Sequence, residues 1–547
     1  MAARTISKGN LWRGQSRPPR WRSLPVTSGT WPSLAVLGAV GVAALAGTPA
    51  LLPVAAVTAS ARPMAASPAV VSGAAGVRWP VAATADANPL GTPAGPDPSA
   101  TAAMPTGSCS TVVGGGATTG EGVLSLTMDG PGTEWSSAAN TSVVVDTSVD
   151  GATPQEIVLY AGAQPFTYQG FVGTIATGPH CVALTVRNDL SHVTTVGATV
   201  DVFDVSLVVV PVGSSQYLLE THNPVLFGRS TSAVGDTPLL AYGQQSADPD
   251  GHDVDLAYTI VWTHEDVGDG VVPAYEWGLW GRMTDIETVL YEKVTPSGSV
   301  VSASYDSCGC EQAPVYPDIV PDDPAAGGET NKPYPATGYS PGLGEHLGLR
   351  DATGNNDISP SGTSSFRFQQ TLVTGPAAGQ AREVSMDQNP WTFRISGEEV
   401  GRESVQSTDA HNFLAGVYPQ YLIVDIDAHS VGTSSIAVGV QLSGDPTWYS
   451  DDYAQMTAPA PASTFPFYNG GHARTVIKLP LGWNGTPIVA VRLVLNAPPG
   501  GPIPKLVGAP SIELIEVTPS YTVLYPSFPS PLVVAGTQLV PPGLIPS

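Results

Sequence analysis

Between Cys109 and Val212 the chain is a succession of short apolar runs, among them GVLSLTM, SVVVD, QEIVLYA, CVALTVRN and VDVFDVSLVVV, separated by Gly and Asn turns. In CVALTVRN the side chains alternate, with Val182, Leu184 and Val186 on one face and Ala183, Thr185 and Arg187 on the other. A period of two is the period of a strand and cannot serve a helix, whose buried positions recur every three or four residues. Short alternating segments at this spacing predict a β-sandwich over residues 109–212. With 60 Gly, 53 Pro and only 12 % charged residues, the whole chain disfavours long helices. The expected fold is therefore mostly β, an N-terminal β-sandwich followed by a larger β-rich domain with long irregular insertions.

That larger domain is expected over residues 213–518. DVDLAYTIVWTHED, ETVLYEKV, QYLIVDIDAH, HARTVIKLPL and PIVAVRLVLN read as its strands, and SFRFQQTLV as a further one. Residues 306–362 show almost no periodicity and read as a long functional or disordered loop. One short helix is expected after DQNPW, where Glu398 and Arg402 stand one turn apart. The tail, 519–547, is proline-rich and reads as extended.

The first thirty residues carry Arg4, Lys8, Arg13, Arg17, Arg20 and Arg22 and no acid; an apolar run from Leu34 to Val57 and Ala59-Ser60-Ala61 follow. A basic, then apolar, then small-residue order predicts a secretory signal over 1–61, so the protein is expected to be secreted or on the cell surface, with no membrane attachment after cleavage; the alternative is that the apolar run is retained as a single membrane anchor. Residues 62–108 are Ala, Pro, Gly, Ser and Thr with few large apolar side chains, the composition of a disordered linker. Losing the six leader cations takes the net charge from −24 to near −30. A surface so acidic repels phosphate backbones, which excludes nucleic acid as an expected partner. In an oxidising compartment Cys109, Cys181, Cys308 and Cys310 are expected to pair, with three connectivities open.

The densest chemistry is WGLWGRMTDIETVLYE, residues 277–292. If TDIETVLYE is a strand, Asp285 and Glu287 share a face at roughly 6 to 7 Å. That separation suits the two acids of glycoside cleavage and equally two ligands of a hard cation, with Trp277 and Trp280 as stacking platforms for sugar. The competing expectation is a half-exposed strand whose acids are neutralised by Arg282 or another base. DPDGHDVD offers Asp248, Asp250, Asp253 and Asp255 as calcium ligands, or else a hairpin turn with solvated acids. YLIVDIDAH places Asp425, Asp427 and His429 along one face, a metal-ligand row or the wet side of a sandwich strand. His264, in THED, stands at a strand end. Phosphate loops and dinucleotide glycine patterns are absent from the sequence.

TDIETVLYE is similar to the catalytic strand of concanavalin-like glucanases of the laminarinase type, which place Glu-x-Asp-x-Glu on one strand. Met283, Asp285 and Glu287 occupy the matching positions, and methionine cannot be the nucleophile. A wider set of stretches, HNPVLFGR, DTPLLAY, YTIVWTHEDVG, WGRMTDIE, MDQNPWTFR and YLIVDI, resembles a group of exported bacterial proteins of unassigned function. The resemblance spans about 213–500. His264, Val267, Thr288 and Asn389 depart from that pattern. It implies that Arg282, Asp285, Glu287, Asp387 and Trp391 belong to one framework, with Trp391 and Asp387 candidates for ligand contact.

Three functional classes follow. The first is a surface or extracellular protein binding glycan, calcium or both. The second is a carbohydrate-active hydrolase or lyase using Asp285 and Glu287. The third is a structural envelope component. Polysaccharide or other envelope components are the expected partners, and a cleft gathering Asp285, Glu287, His264 and a tryptophan would favour the enzyme.

Overall fold

The computed structural model describes residues 77–81, 109–114, 118–135, 141–193, 197–228, 237–248, 251–263, 282, 284–308, 329–334, 346–351, 356, 358–360, 366–368, 371–376, 382–406, 421–431, 435–450, 470–480, 483, 485–497, 502, 505–518, 522–526 and 533–538. The described residues are built from five sheets and little helix, the mostly β architecture that the alternating runs predict.

A back sheet has the order Val77–Pro80, Thr199–Pro211, Gly120–Asp129, Phe166–Ile175. It faces an eight-stranded sheet that contains Gln155–Val158, Val144–Val149, Pro179–Val186 and Thr111–Gly114 at one end. Leu124, Leu126, Val145, Val182 and Val202 close the space between them. At its other end the eight-stranded sheet holds Val225–Phe227, Gly348–Asp351, Ile358–Ser359 and Arg367–Phe368. The sheet thus runs straight across the boundary expected at 212/213, and one core unites residues on both sides of it. Cys109 and Cys181 are disulfide-bonded, with Cα atoms 5.3 Å apart, which ties the edge strand Thr111–Gly114 to its neighbour Pro179–Val186.

A central sheet follows, in the order Glu329–Pro333, Val300–Cys308, Ile286–Val294, Val254–Trp262, Pro238–Ala247 and, parallel at the edge, Thr371–Thr374. Both of its faces are used. Ala241, Leu256, Tyr258, Ile260 and Trp262 join the first core, while Leu240, Tyr242, Val261 and Ile286 join a second. The second core is completed by Met386, Phe393, Tyr421, Ile423, Val476 and Ile515. Tyr421–Val431 pairs with Gly470–Lys478 on one side and Ser511–Val517 on the other. Its alternate residues Leu422, Val424 and Ile426 face a third core against Ser435–Leu442 and Ile488–Ala497. A strand apolar on both faces is what burial between two layers demands.

Several irregular regions contribute strands. Val77–Pro80, inside the expected linker, pairs with Thr199–Pro211 and anchors through Val81, which is buried. Its four residues are too short a run to stand out from Ala/Pro-rich surroundings. The long loop expected over 306–362 supplies Glu329–Pro333, Gly348–Asp351 and Ile358–Ser359, and the tail supplies Val533–Gln538, parallel to Ile488–Ala497. Neighbouring strands, not their own periodicity, hold such short segments in place. The expected helix forms at Trp391–Gln406, preceded by the single turn Val384–Gln388. Its turn-to-turn ion pair is Arg394 with Glu398, at 3.9 Å. The leader expected over 1–61 lies outside the described residues.

Candidate functional site

Where the central sheet meets the helical segment and the strand Tyr421–Val431, charged side chains accumulate in the interior. Asp425 stands directly across from Arg474 in the strand register, so opposite charges are neighbours as soon as these strands pair. Arg474 donates to Asp425 Oδ2 at 3.0 Å and to both carboxylate oxygens of Asp387, at 2.8 and 3.2 Å. The fork geometry of guanidinium matches a carboxylate in this way, and lysine could not reproduce it. Burial raises the Asp387 carboxyl above its ordinary range, and the nearby Asp425 and Glu383 outweigh part of the relief given by Arg474.

The second half of the cluster is centred on Glu383. Its carboxylate accepts from Arg282 at 3.4 Å and lies 3.6 Å from Arg382. Burial alone would raise Glu383, yet Arg282 and Arg382 together hold it below its ordinary value. Arg382 also pairs with Glu287 at 3.1 Å and donates to the Ile286 carbonyl, and its charge is further favoured by Asp285. Asp285 is buried and accepts from Asn356 at 2.9 Å. Arg282 donates to the Thr284 carbonyl, whose residue in turn bonds the Met386 sulfur.

Arg282, Asp285 and Glu287 thus enter one linked network with Asp387 and Asp425, which are remote from them in sequence. Arg382, Glu383 and Arg474 were not singled out by the sequence reading. The available signals were the charged pair Arg382-Glu383 four residues ahead of Asp387 and the lone arginine in HARTVIK. Trp391 stands apart from the charges. It stacks on Tyr160 with centroids 5.9 Å apart and planes 3° from parallel, and it touches Phe166. That contact welds the helix to the first core, so its ring serves packing rather than an open sugar platform.

The other expected sites divide similarly. DPDGHDVD is the hairpin turn between Pro238–Ala247 and Val254–Trp262, with Gly251 at φ +73°. Asp248 is buried there and ion-paired with Lys293, so one carboxylate expected to bind calcium already has a cation. Asp253 and Asp255 are partly exposed. Along YLIVDIDAH the face expected to be wet begins inside the second core, which is why Asp425 pairs with Arg474; Asp427 is exposed. Among the described residues, no three His, Cys, Asp or Glu side chains converge as a metal site. His264, Trp277, Trp280, Asp250 and the side chain of His429 lie outside the described residues.

A groove opens on the same face of the central sheet. Along each strand that face is apolar under the second layer, as at Leu240, Tyr242 and Val261, and turns polar beyond it. The groove there encloses about 1040 Å³. Register places Gln244, Ala257, Tyr291 and Ser304 in one row and Ser246, Asp255, Lys293 and Ser302 in the next. Gln244 Nε2 donates to the Pro376 carbonyl at 2.9 Å, which fixes the amide at the groove edge.

No family model, curated protein or solved structure matches this chain. Its function is therefore argued from these two features, a locked charge network and an open groove of mixed lining.

Proposed function

We propose that the protein is an exported, non-catalytic binding protein of the cell surface or extracellular space, and that its partner is polysaccharide. The observation that carries the reading is the groove: a large concave surface on the central sheet whose lining is mostly apolar, with the amides of Gln244 and Gln245, serine hydroxyls and the Tyr291 ring set among it. Such a lining suits a sugar, which presents apolar C–H faces between its hydroxyls. The acids that a hydrolase would use are committed elsewhere. Asp285 is buried against Asn356, and Glu287 is paired with Arg382. A general acid needs a proton to give and a path to the leaving oxygen.

The test is to run the full chain in affinity gels cast with soluble polysaccharides while assaying the same mixtures for new reducing ends. Retardation without reducing ends, unchanged in the Asp285→Asn/Glu287→Gln variant, is expected. Reducing ends that appear with the wild type and vanish in the variant would replace this reading with the hydrolase. An unretarded chain in every gel would remove the polysaccharide.

A further inference from the structure

We infer that the groove takes a polysaccharide bearing a free amine, and that the Asp255 carboxylate receives the ammonium group. This deepens the proposed polysaccharide reading and rests on it. The charged residues of the lining lead there. Lys293 bonds the Asp248 carboxylate, so its ammonium is committed within the protein. Glu292 is wholly covered, lies 2.9 Å from His222 and faces the opposite side of its strand from Lys293. Asp255 stands in register between Ser246 and Lys293 and is partly exposed. Among the described residues its side chain forms no hydrogen bond or ion pair. One ammonium cannot neutralise two carboxylates, so the groove keeps a negative charge at Asp255.

That charge decides between classes of polysaccharide. An acidic one would bring its own carboxylates to Asp255 and would approach a chain of net charge −24. A neutral one would cover Asp255 and strip away its water without offering a charge, and desolvating an unpaired carboxylate is unfavourable. An ammonium group offsets that loss with a charge-assisted hydrogen bond, and the long-range field of the protein favours its approach.

The surroundings of Asp255 distinguish an amino sugar from a polyamine or a basic peptide. Ser246 and Ser302 end the charged row, and Gln244 and Ser304 end the next, about 6 to 7 Å along the strands. Uncharged donors and acceptors of this kind meet hydroxyls. Polyamines and basic peptides carry several cations in succession, whereas the lining supplies one uncommitted acid. The remainder of the lining is largely apolar, which suits the C–H faces of a sugar on either side of its amine.

The experiment measures binding to the full chain by isothermal titration at mildly acidic pH, where sugar amines are charged. The probes are a glucosamine oligosaccharide with free amines, the same oligosaccharide fully N-acetylated, a uronate oligosaccharide and spermidine. Asp255→Asn is run beside the wild type, and Asp204→Asn, in the back-sheet strand Thr199–Pro211, removes the same charge far along the chain as a control. The expected result is tightest binding of the free-amine oligosaccharide, weakened about tenfold by Asp255→Asn and unchanged by Asp204→Asn. Tighter binding of the acetylated or uronate oligosaccharide would overturn this inference while leaving the polysaccharide reading standing. So would free-amine binding that Asp255→Asn leaves intact, or that Asp204→Asn weakens equally. Spermidine bound more tightly than any sugar would overturn it in favour of a free polyamine, and absence of binding to all three oligosaccharides would end both readings.

Discussion

Arg474 grips Asp387 through two parallel N–H···O contacts, 2.8 and 3.2 Å long, in a place where both side chains are about 95 % hidden from solvent. The same guanidinium reaches Asp425 at 3.0 Å. Removing the cation strands one buried and one largely covered carboxylate, the first of which burial has already pushed up. We therefore expect Arg474→Leu to destabilise the protein by about 3–5 kcal/mol, and Arg474→Lys by less, because an ammonium keeps the charge but loses the fork. Urea unfolding at neutral pH measures both. A loss below about 1 kcal/mol in Arg474→Leu would mean that the acids find other partners.

Glu287 makes a useful contrast. Its side chain and that of Arg382 are 26 % and 37 % exposed, so water screens their 3.1 Å contact. Glu287→Gln should lower stability by only about 0.5–1 kcal/mol. Comparing the two variants in one denaturant series separates the buried half of the network from its rim, and equal losses would refute that division.

The sequence disclosed the strands that alternate over many residues and concealed those held by neighbours. CVALTVRN and YLIVDI stood out because each apolar side chain repeats a pattern. Val77–Pro80 and Ile358–Ser359 are too short to show one, and only pairing defines them. The second core was hidden for a different reason. Tyr421 and Ile423 were legible as apolar, yet Asp425 on the same face suggested solvent, because the arginine opposite it lies 49 residues away in sequence. A buried ion pair across strands can be read only after the register is known. The same holds for Asp248, whose partner Lys293 comes from the next hairpin.

The Cys109–Cys181 bridge closes a loop of 72 residues and fastens an edge strand. In the chain-entropy account a loop of that length is worth about 4 kcal/mol. Reduction, or a Cys109→Ser/Cys181→Ser variant, should lower the melting temperature by several degrees. Hydrogen exchange should then report the loss first in Thr111–Gly114 and Pro179–Val186, and uniform loosening across all five sheets would contradict a local staple.

Calcium tests the turn directly. With Asp248 bonded to Lys293 and Asp425 bonded to Arg474, two of the candidate ligands are occupied by cations of the protein itself. A hard cation would have to displace them. Melting curves with about 1 mM calcium and after chelation should superimpose. A rise in melting temperature that Asp248→Asn abolishes would show the turn to be a calcium site after all.

Glu220 gives the stability a pH dependence of known sign. It sits in the short helix Tyr217–Thr221, and burial, reinforced by the nearby Glu121, pushes its carboxyl up to about 7. Below about 4.5 the group is protonated in folded and unfolded chains alike. Between about 4.5 and 7 the unfolded chain releases the proton and the folded one retains it. The stabilisation is therefore complete below the unfolded value and is lost as pH rises through about 7. Glu398 is raised to about 7, chiefly by burial, and acts in the same direction. Stability should thus be higher at pH 5 than at pH 8. Glu220→Gln, which cannot ionise, should flatten part of that slope, gaining up to about 3 kcal/mol at pH 8 and little at pH 5. Urea midpoints across this range decide it, and a variant whose slope matches the wild type would show that Glu220 stays solvated when the chain is folded.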